Sequence, residues 1–251
     1  MSRLIQRLPA LLTSALFIPS LLVTPAWAIQ ANGSLEFQQR HFFNDPLDTN
    51  QHNNYSSLAL TAEFYHSWND RDDALTFTPF GRYDQHDEER THADIRELNW
   101  LHVGDNWQLR TGIGKVFWGS TESLHLVDII NQTDTLEGID GEDKLGQPMV
   151  HFSYLLDQGE VSLFWLPYFR ERSFAGNEGR PRASLNIDTD NPVYSSSQEQ
   201  HHQDFAIRWS YSLDNVDIAL SHFKGTSREP TTIRVTSTTF RHKYEQINQT
   251  G

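Results

Sequence analysis

Period-two runs recur along this chain and leave it few ways to fold. Phe205, Ile207, Trp209, Tyr211 and Leu213 alternate with Asp204, Ala206, Arg208, Ser210 and Ser212. Leu58, Leu60, Ala62 and Phe64 alternate in the same way with Thr61, Glu63 and Tyr65. Residues two apart share one face of a strand, so each run predicts a β-strand with an apolar and a polar side. Comparable runs lie at 35–43, 75–83, 95–103, 107–117, 149–156, 161–169 and 216–220, with a last one around Ile233 and Val235. That makes roughly ten strands. Pro79 is the one awkward residue, because proline cannot donate to a sheet ladder.

The connections follow a regular pattern. Tight turns fall at 69–73, 104–106, 157–159 and 214–215, and long or charged loops at 44–54, 84–92, 118–148 and 170–202. If the first strand runs outward, every tight turn lies at one end and every long loop at the other. Short periplasmic turns and longer extracellular loops are the outer-membrane pattern, which a soluble sandwich has no reason to keep. The predicted fold class is therefore all-β, an antiparallel up-and-down transmembrane β-barrel. The final residues, Gln246-Ile247-Asn248-Gln249-Thr250-Gly251, lack the aromatic ending of a closing barrel strand. The expectation is an N-terminal part of a larger barrel.

The first 28 residues fit a secretory signal peptide. Arg3 and Arg7 precede a mostly apolar stretch at 8–23, and Ala26-Trp27-Ala28 is a small-x-small cleavage site. Pro9, Pro19 and Pro25 interrupt a segment already short for a membrane span. Cleavage after Ala28 leaves 29–251 as one barrel domain, exported through the periplasm to the bacterial outer membrane. The chain has 33 Asp and Glu against 20 Lys and Arg, and removing the leader deletes two arginines more. Such acidity excludes nucleic acid as a partner, since that footprint is basic. With no cysteine, disulfides, thiolate metal sites and thiol catalysis are excluded together.

On this plan Leu60, Phe64, Ile207, Trp209, Tyr211, Ile218 and Leu220 face lipid, with Trp68, Trp107, Trp165 and Tyr168 as interfacial girdles. Glu63, Arg110, Arg208 and Arg234 line the lumen. The loop at 118–148 is the candidate constriction or lid. It carries Trp118, Gly119, Glu122, Asp128, Asn131, Asp134, Glu137, Asp140, Glu142 and Asp143. Folded inward it would make the lumen acidic and favour cations or neutral polar solutes. Its apolar residues, Leu124, Leu126, Val127, Ile129 and Ile130, favour folding in, because an exposed loop gains nothing from them. His86, Asp87, Glu88, Glu89 and His92 form a charged run without metal-ligand spacing. Asp140, Glu142 and Asp143 do not match an EF-hand loop. No metal and no cofactor is expected. Ser120, Ser123 and His125 lie close together, but no Gly-x-Ser-x-Gly occurs, so the chain is not read as an enzyme.

The string Arg110-Thr111-Gly112-Ile113-Gly114-Lys115-Val116-Phe117-Trp118-Gly119, followed by Asp128-Ile129-Ile130-Asn131-Gln132-Thr133-Asp134, resembles an element of a poorly characterised proteobacterial porin-like family. The family is distantly akin to alginate-export-type barrels. Its element runs Gly-Arg/Lys-x-x-x-Trp-Gly, then Asn-Pro-x-Asp; Gln132 stands where proline is usual. Leu166-Pro167-Tyr168-Phe169 before a Gly/Pro-rich loop is similar as well. The resemblance implies an outer-membrane channel for small polar solutes. Its partners would be outer-membrane lipid, lipopolysaccharide and the barrel-assembly machinery, with homo-oligomerisation possible. The rival readings are a non-conducting barrel that recognises polysaccharide or assembles the envelope, an outer-membrane hydrolase, and a soluble periplasmic sandwich. Phe174, Arg180, Arg182 and Tyr194 are the residues the polysaccharide reading would use.

Overall fold

The computed structural model describes residues 12–16, 29–118, 129–182, 185, 187–213, 216–237 and 239–251. Its strands are β1 (Leu12–Leu16), β2 (Gln30–His41), β3 (Asn54–Trp68), β4 (Asp73–Asp84), β5 (His92–Val103), β6 (Trp107–Gly114) and β7 (Gln147–Leu156). There follow β8 (Gly159–Leu166), β9 (Ile187–Tyr194), β10 (Asp204–Leu213), β11 (Val216–Thr226), β12 (Thr231–Arg234), β13 (Phe240–Tyr244) and β14 (Gln246–Thr250). Eleven of them form one antiparallel sheet, in the order β1-β2-β3-β4-β5-β6-β7-β8-β10-β11-β14. Every strand from β2 to β8 pairs with its sequence neighbour, which is the meander that the alternating turns and loops dictate. No helix among the described residues is long and apolar enough to cross a membrane.

The sheet does not close into a barrel: β1 and β14 lie at opposite edges and do not pair with each other. The segment set aside as a leader contributes Leu12–Leu16, which runs along the outer edge of β2; Ala26-Trp27-Ala28 lies outside the described residues. Two further strands depart from the sequence reading. β9 lies inside the connection at 170–202, and β14 forms from the polar residues at the end of the chain. The run around Ile233 and Val235 is not a wall strand. Only four residues of it pair, and they pair with β13, which runs parallel to β9 in a separate three-stranded sheet.

The two faces of the large sheet differ in kind. Register places Leu58 beside Tyr83, Phe64 beside Phe77, Leu163 beside Ile207 and Trp209 beside Leu220. This face is apolar, and Leu60, Phe64, Leu163, Ile207, Ile218 and Leu220 all lie exposed on it. The opposite face pairs Ser57 with Asp84, Ala59 with Arg82, Arg110 with His151 and Ser153 with Ser162, and Ser57, Asp84, Arg82, Ser153 and Ser162 are all buried. Much of the polar side is covered, because the long connections fold over it.

Local geometry explains two residues. Pro79 pairs with Ile95 while Thr78 pairs with Glu97, so Arg96 is the extra residue of a β-bulge. The bulge removes the ladder bond that proline could not make. Gly112 has φ +124, and a Cβ there would lie 2.1 Å from the Leu98 carbonyl oxygen across the β5–β6 pairing. Gly112→Ala should therefore lower stability by about 1–3 kcal/mol, the cost of a strained backbone position. Gly81→Ala, whose Cβ would meet nothing nearer than 4.0 Å, should be close to neutral. Denaturant midpoints of the two variants check both.

Candidate functional site

A loop follows β6, and residues 115–118 and 129–146 of it are described. Asn131 fixes its base. The side-chain amide donates to the carbonyls of Gly114 and Leu145, each at 2.9 Å, and its oxygen accepts the Val116 N–H at 2.8 Å. An apolar cluster anchors the loop on β7, β8, β10 and β11. Trp118 and Ile130 pack there with Met149, Phe164, Leu166 and Phe223, and all are buried. The Trp118 ring meets Phe164 edge-on at 5.3 Å. Ile129 packs against the same cluster, which is the inward pull expected of it.

The next residues dock on the charged half of the face, over β2 to β5. The Asp134 carboxylate accepts from Arg96 Nη1 at 2.6 Å and from the Ser173 hydroxyl at 2.8 Å. Glu137 receives the Arg82 fork, Nε at 2.9 Å and Nη2 at 2.7 Å. Between them Arg90 donates to the Leu136 carbonyl at 2.8 Å and to Asp84 at 2.7 Å. Ser57 accepts from both Arg82 and Arg90. The Arg96 guanidinium also lies 4.2 Å from the Phe80 ring centroid. Burial alone would raise the pKa of Asp134. The charge of Arg96, with hydrogen bonds from Arg96 and Ser173, outweighs burial and holds it below the ordinary 3.8. The site is thus a clasp in which loop carboxylates meet wall arginines, so the two deepest acids of the loop are neutralised.

Of the four lumen candidates, Glu63, Arg110 and Arg208 lie on the polar face. Arg110 is opposite His151, and Arg208 sits between Ser162 and Ser221. Arg110 Nε is buried without a hydrogen-bond partner. Arg234 is elsewhere, on β12 of the small sheet, with its guanidinium 5.3 Å from the Phe240 ring centroid. Four paired residues are too few for a wall strand, and the alternation of Ile233 and Val235 around Arg234 imitated one. Of the loop candidates, Trp118, Asn131 and Asp134 belong to the docked part and are buried. Asp140, Glu142 and Asp143 lie exposed on its outer turn. Gly119, Ser120, Glu122, Ser123, Leu124, His125, Leu126, Val127 and Asp128 lie outside the described residues.

Sequence reading missed Arg82, Arg90 and Arg96. Their signal was present, three arginines over 82–96 against the acids of 134–143, but partners 38 and 55 residues apart are invisible to local pattern. Gln132, fully buried, accepts from Arg172 Nε at 3.2 Å and from its neighbour's N–H. It thus makes contacts that proline could not.

In the charged run at 86–92, Asp87 accepts the Gly176 N–H and His86 stacks on His52 at 3.7 Å. Ligand atoms of His92, Asp134 and Glu137 do lie within 4.8 Å of one another. Both carboxylates are engaged by guanidinium groups, whose charge opposes a cation there.

Asp134→Asn should cost about 1–3 kcal/mol, because it removes the closer of the two carboxylates on the buried Arg96 and leaves Asp94, 3.1 Å away, as its remaining counter-ion. The pKa of Asp134 is lower folded than unfolded, so its contribution is complete above the ordinary value of 3.8 and lost as pH falls through the depressed one. Denaturant midpoints between pH 3 and 6 should fall more steeply on the acid side in the native protein than in Asp134→Asn. No family model, no curated protein and no solved structure matches the chain. What the protein does has to follow from its own residues.

Proposed function

We propose that this chain forms the wall of an outer-membrane channel for small polar solutes, related to the porin-like barrels its loop element resembles. The observation that carries the reading is the inverted polarity of the sheet. Large apolar side chains cover the exposed face, and ion pairs lie buried on the other. In water that apolar face would be a continuous patch, which calls for a lipid or protein cover. Strands β2, β3, β4, β5, β7, β10 and β11, with 10 to 15 residues each, have the length a tilted strand needs in a bilayer, about 9–11 residues. A spanning wall tolerates no free edge, so the reading requires both outer edges of the sheet to be paired in the membrane.

The docked loop is the constriction. Its Asp134 and Glu137 are matched by Arg96 and Arg82, so passage beside them favours polar molecules that bond to both signs over ions of one sign. In this reading the leader is removed after Ala28 during export to the outer membrane.

Two measurements test the proposal. The native gene's product should fractionate with the outer membrane and run faster in SDS before boiling than after. It should also give discrete conductance steps in planar bilayers. Recovery from the soluble periplasm without a mobility shift overturns the reading. Glu137→Ala, which frees one end of the loop, should raise single-channel conductance, whereas Leu60→Arg should reduce membrane insertion by about 2–4 kcal/mol, the cost of a charge on a lipid-facing strand.

A further inference from the structure

The long-loop end carries a cleft of about 750 Å³, which the constriction does not use. The segment 174–182 forms one side, β9 the other, and Thr232 and His242 of the small sheet close it. Thr135 and Ile139 reach it from the constriction loop, next to Asp134 and Glu137. The volume lies within the roughly 300–1,000 Å³ of small-molecule sites.

Three features of the lining select a ligand. Phe174 and His242 stack face to face, centroids 4.0 Å apart and planes 10° from parallel, which gives the cleft a flat aromatic plate. His242 is 93% buried and neither ring nitrogen has a partner. Burial, and then the charge of Arg172, lowers its pKa and keeps the ring neutral, so it offers one donor and one acceptor. Arg180 adds a third orphan, a buried Nη1, while its Nη2 donates to the Asn44 carbonyl at 2.8 Å. Unmet buried groups each cost about 1–3 kcal/mol, and a hydroxyl, which donates and accepts at once, satisfies such a pair. Charge discriminates further. Asp188 is already paired with Arg241 at 3.0 Å, which leaves Glu89 and Asp190 against Arg180 and Arg182 in the lining, a balance that suits a neutral ligand.

We propose that this cleft binds a neutral oligosaccharide, with a sugar ring against the Phe174–His242 plate and its hydroxyls on His242 and Arg180. The proposal rests on the channel reading only for its role there, as a site where solute is held above the constriction. Binding itself does not depend on conductance.

The test is calorimetric titration of the detergent-solubilised full chain with maltohexaose, and with hexagalacturonate as the acidic counterpart. Saturable binding of maltohexaose should be seen, and Phe174→Ala should weaken it at least about tenfold, as loss of a central contact does. Thr232→Trp narrows the cleft from an exposed position. It should abolish binding while the heat-dependent gel shift and conductance persist, which separates a blocked site from a misfolded chain. No maltohexaose binding by protein that shows the gel shift overturns the proposal. So does binding unchanged in both variants, or binding of hexagalacturonate alone. Conductance without sugar binding removes the cleft and leaves the channel, and sugar binding without conductance does the reverse.

Discussion

The pairing of the loop carboxylates with the wall arginines decides what the rest of the molecule can be. Arg82 and Arg96 project from strands whose other face is apolar, and both are buried. A buried guanidinium is costly unless its charge is well matched. The sheet supplies part of the match itself, Glu36 near Arg82 and Asp94 near Arg96, and Asp134 and Glu137 of the loop supply the closest contacts. The loop therefore cannot leave without giving up the shortest ion pair of each arginine, and the sheet cannot turn its polar side to bulk water without losing its partner. The apolar side is left facing outward by elimination.

The polar face has two halves that hold the loop by different means. Toward β7, β8, β10 and β11 the contact is apolar, through Ile130 and Trp118 on Phe164 and Phe223. Toward β2 to β5 it is ionic. Asn131 stands between them and ties the end of β6 to the start of β7, with two hydrogen bonds at Gly114 and Val116 and a third to the Leu145 carbonyl. The element that resembles porin-like barrels therefore has a physical reading here. Asn131 fixes the base of the loop, and Asp134, three residues on, reaches the bulged Arg96. The bulge at Pro79 thus positions the arginine that receives the loop.

Most of the sheet was legible because period two survives translation into faces. Leu60, Phe64, Ile207, Trp209, Tyr211, Ile218 and Leu220 all fall on the apolar side, and Glu63, Arg110 and Arg208 on the polar side. The failures have one cause. Arg234 sits in a period-two run too short to be a wall strand. β9 and β14 are polar runs that become strands only because partners reach them, β13 for one and β11 for the other. The clasp was half legible. Ile129 and Ile130 announced an inward loop, but nothing local says that Asp134 belongs to Arg96, or that the loop's acids would meet bases instead of water.

The segregation of turns and loops to opposite ends also orders the assembly of the chain in time. The hairpins from β2 to β6 and the β7–β8 hairpin close through comparatively short connections, so their contacts are local and form early, whereas β6 meets β7 only across the loop at 115–146. The loop end is tied by contacts of another kind. Gln51 donates to the Gly179 carbonyl across 128 residues, Arg180 to Asn44 across 136, and Arg228 to Ile130 across 98. Closure entropy for such contacts falls due only after the sheet exists to bring them together. The sheet is then the template and the cap its last-formed layer, so the polar face stays open to water until the final step.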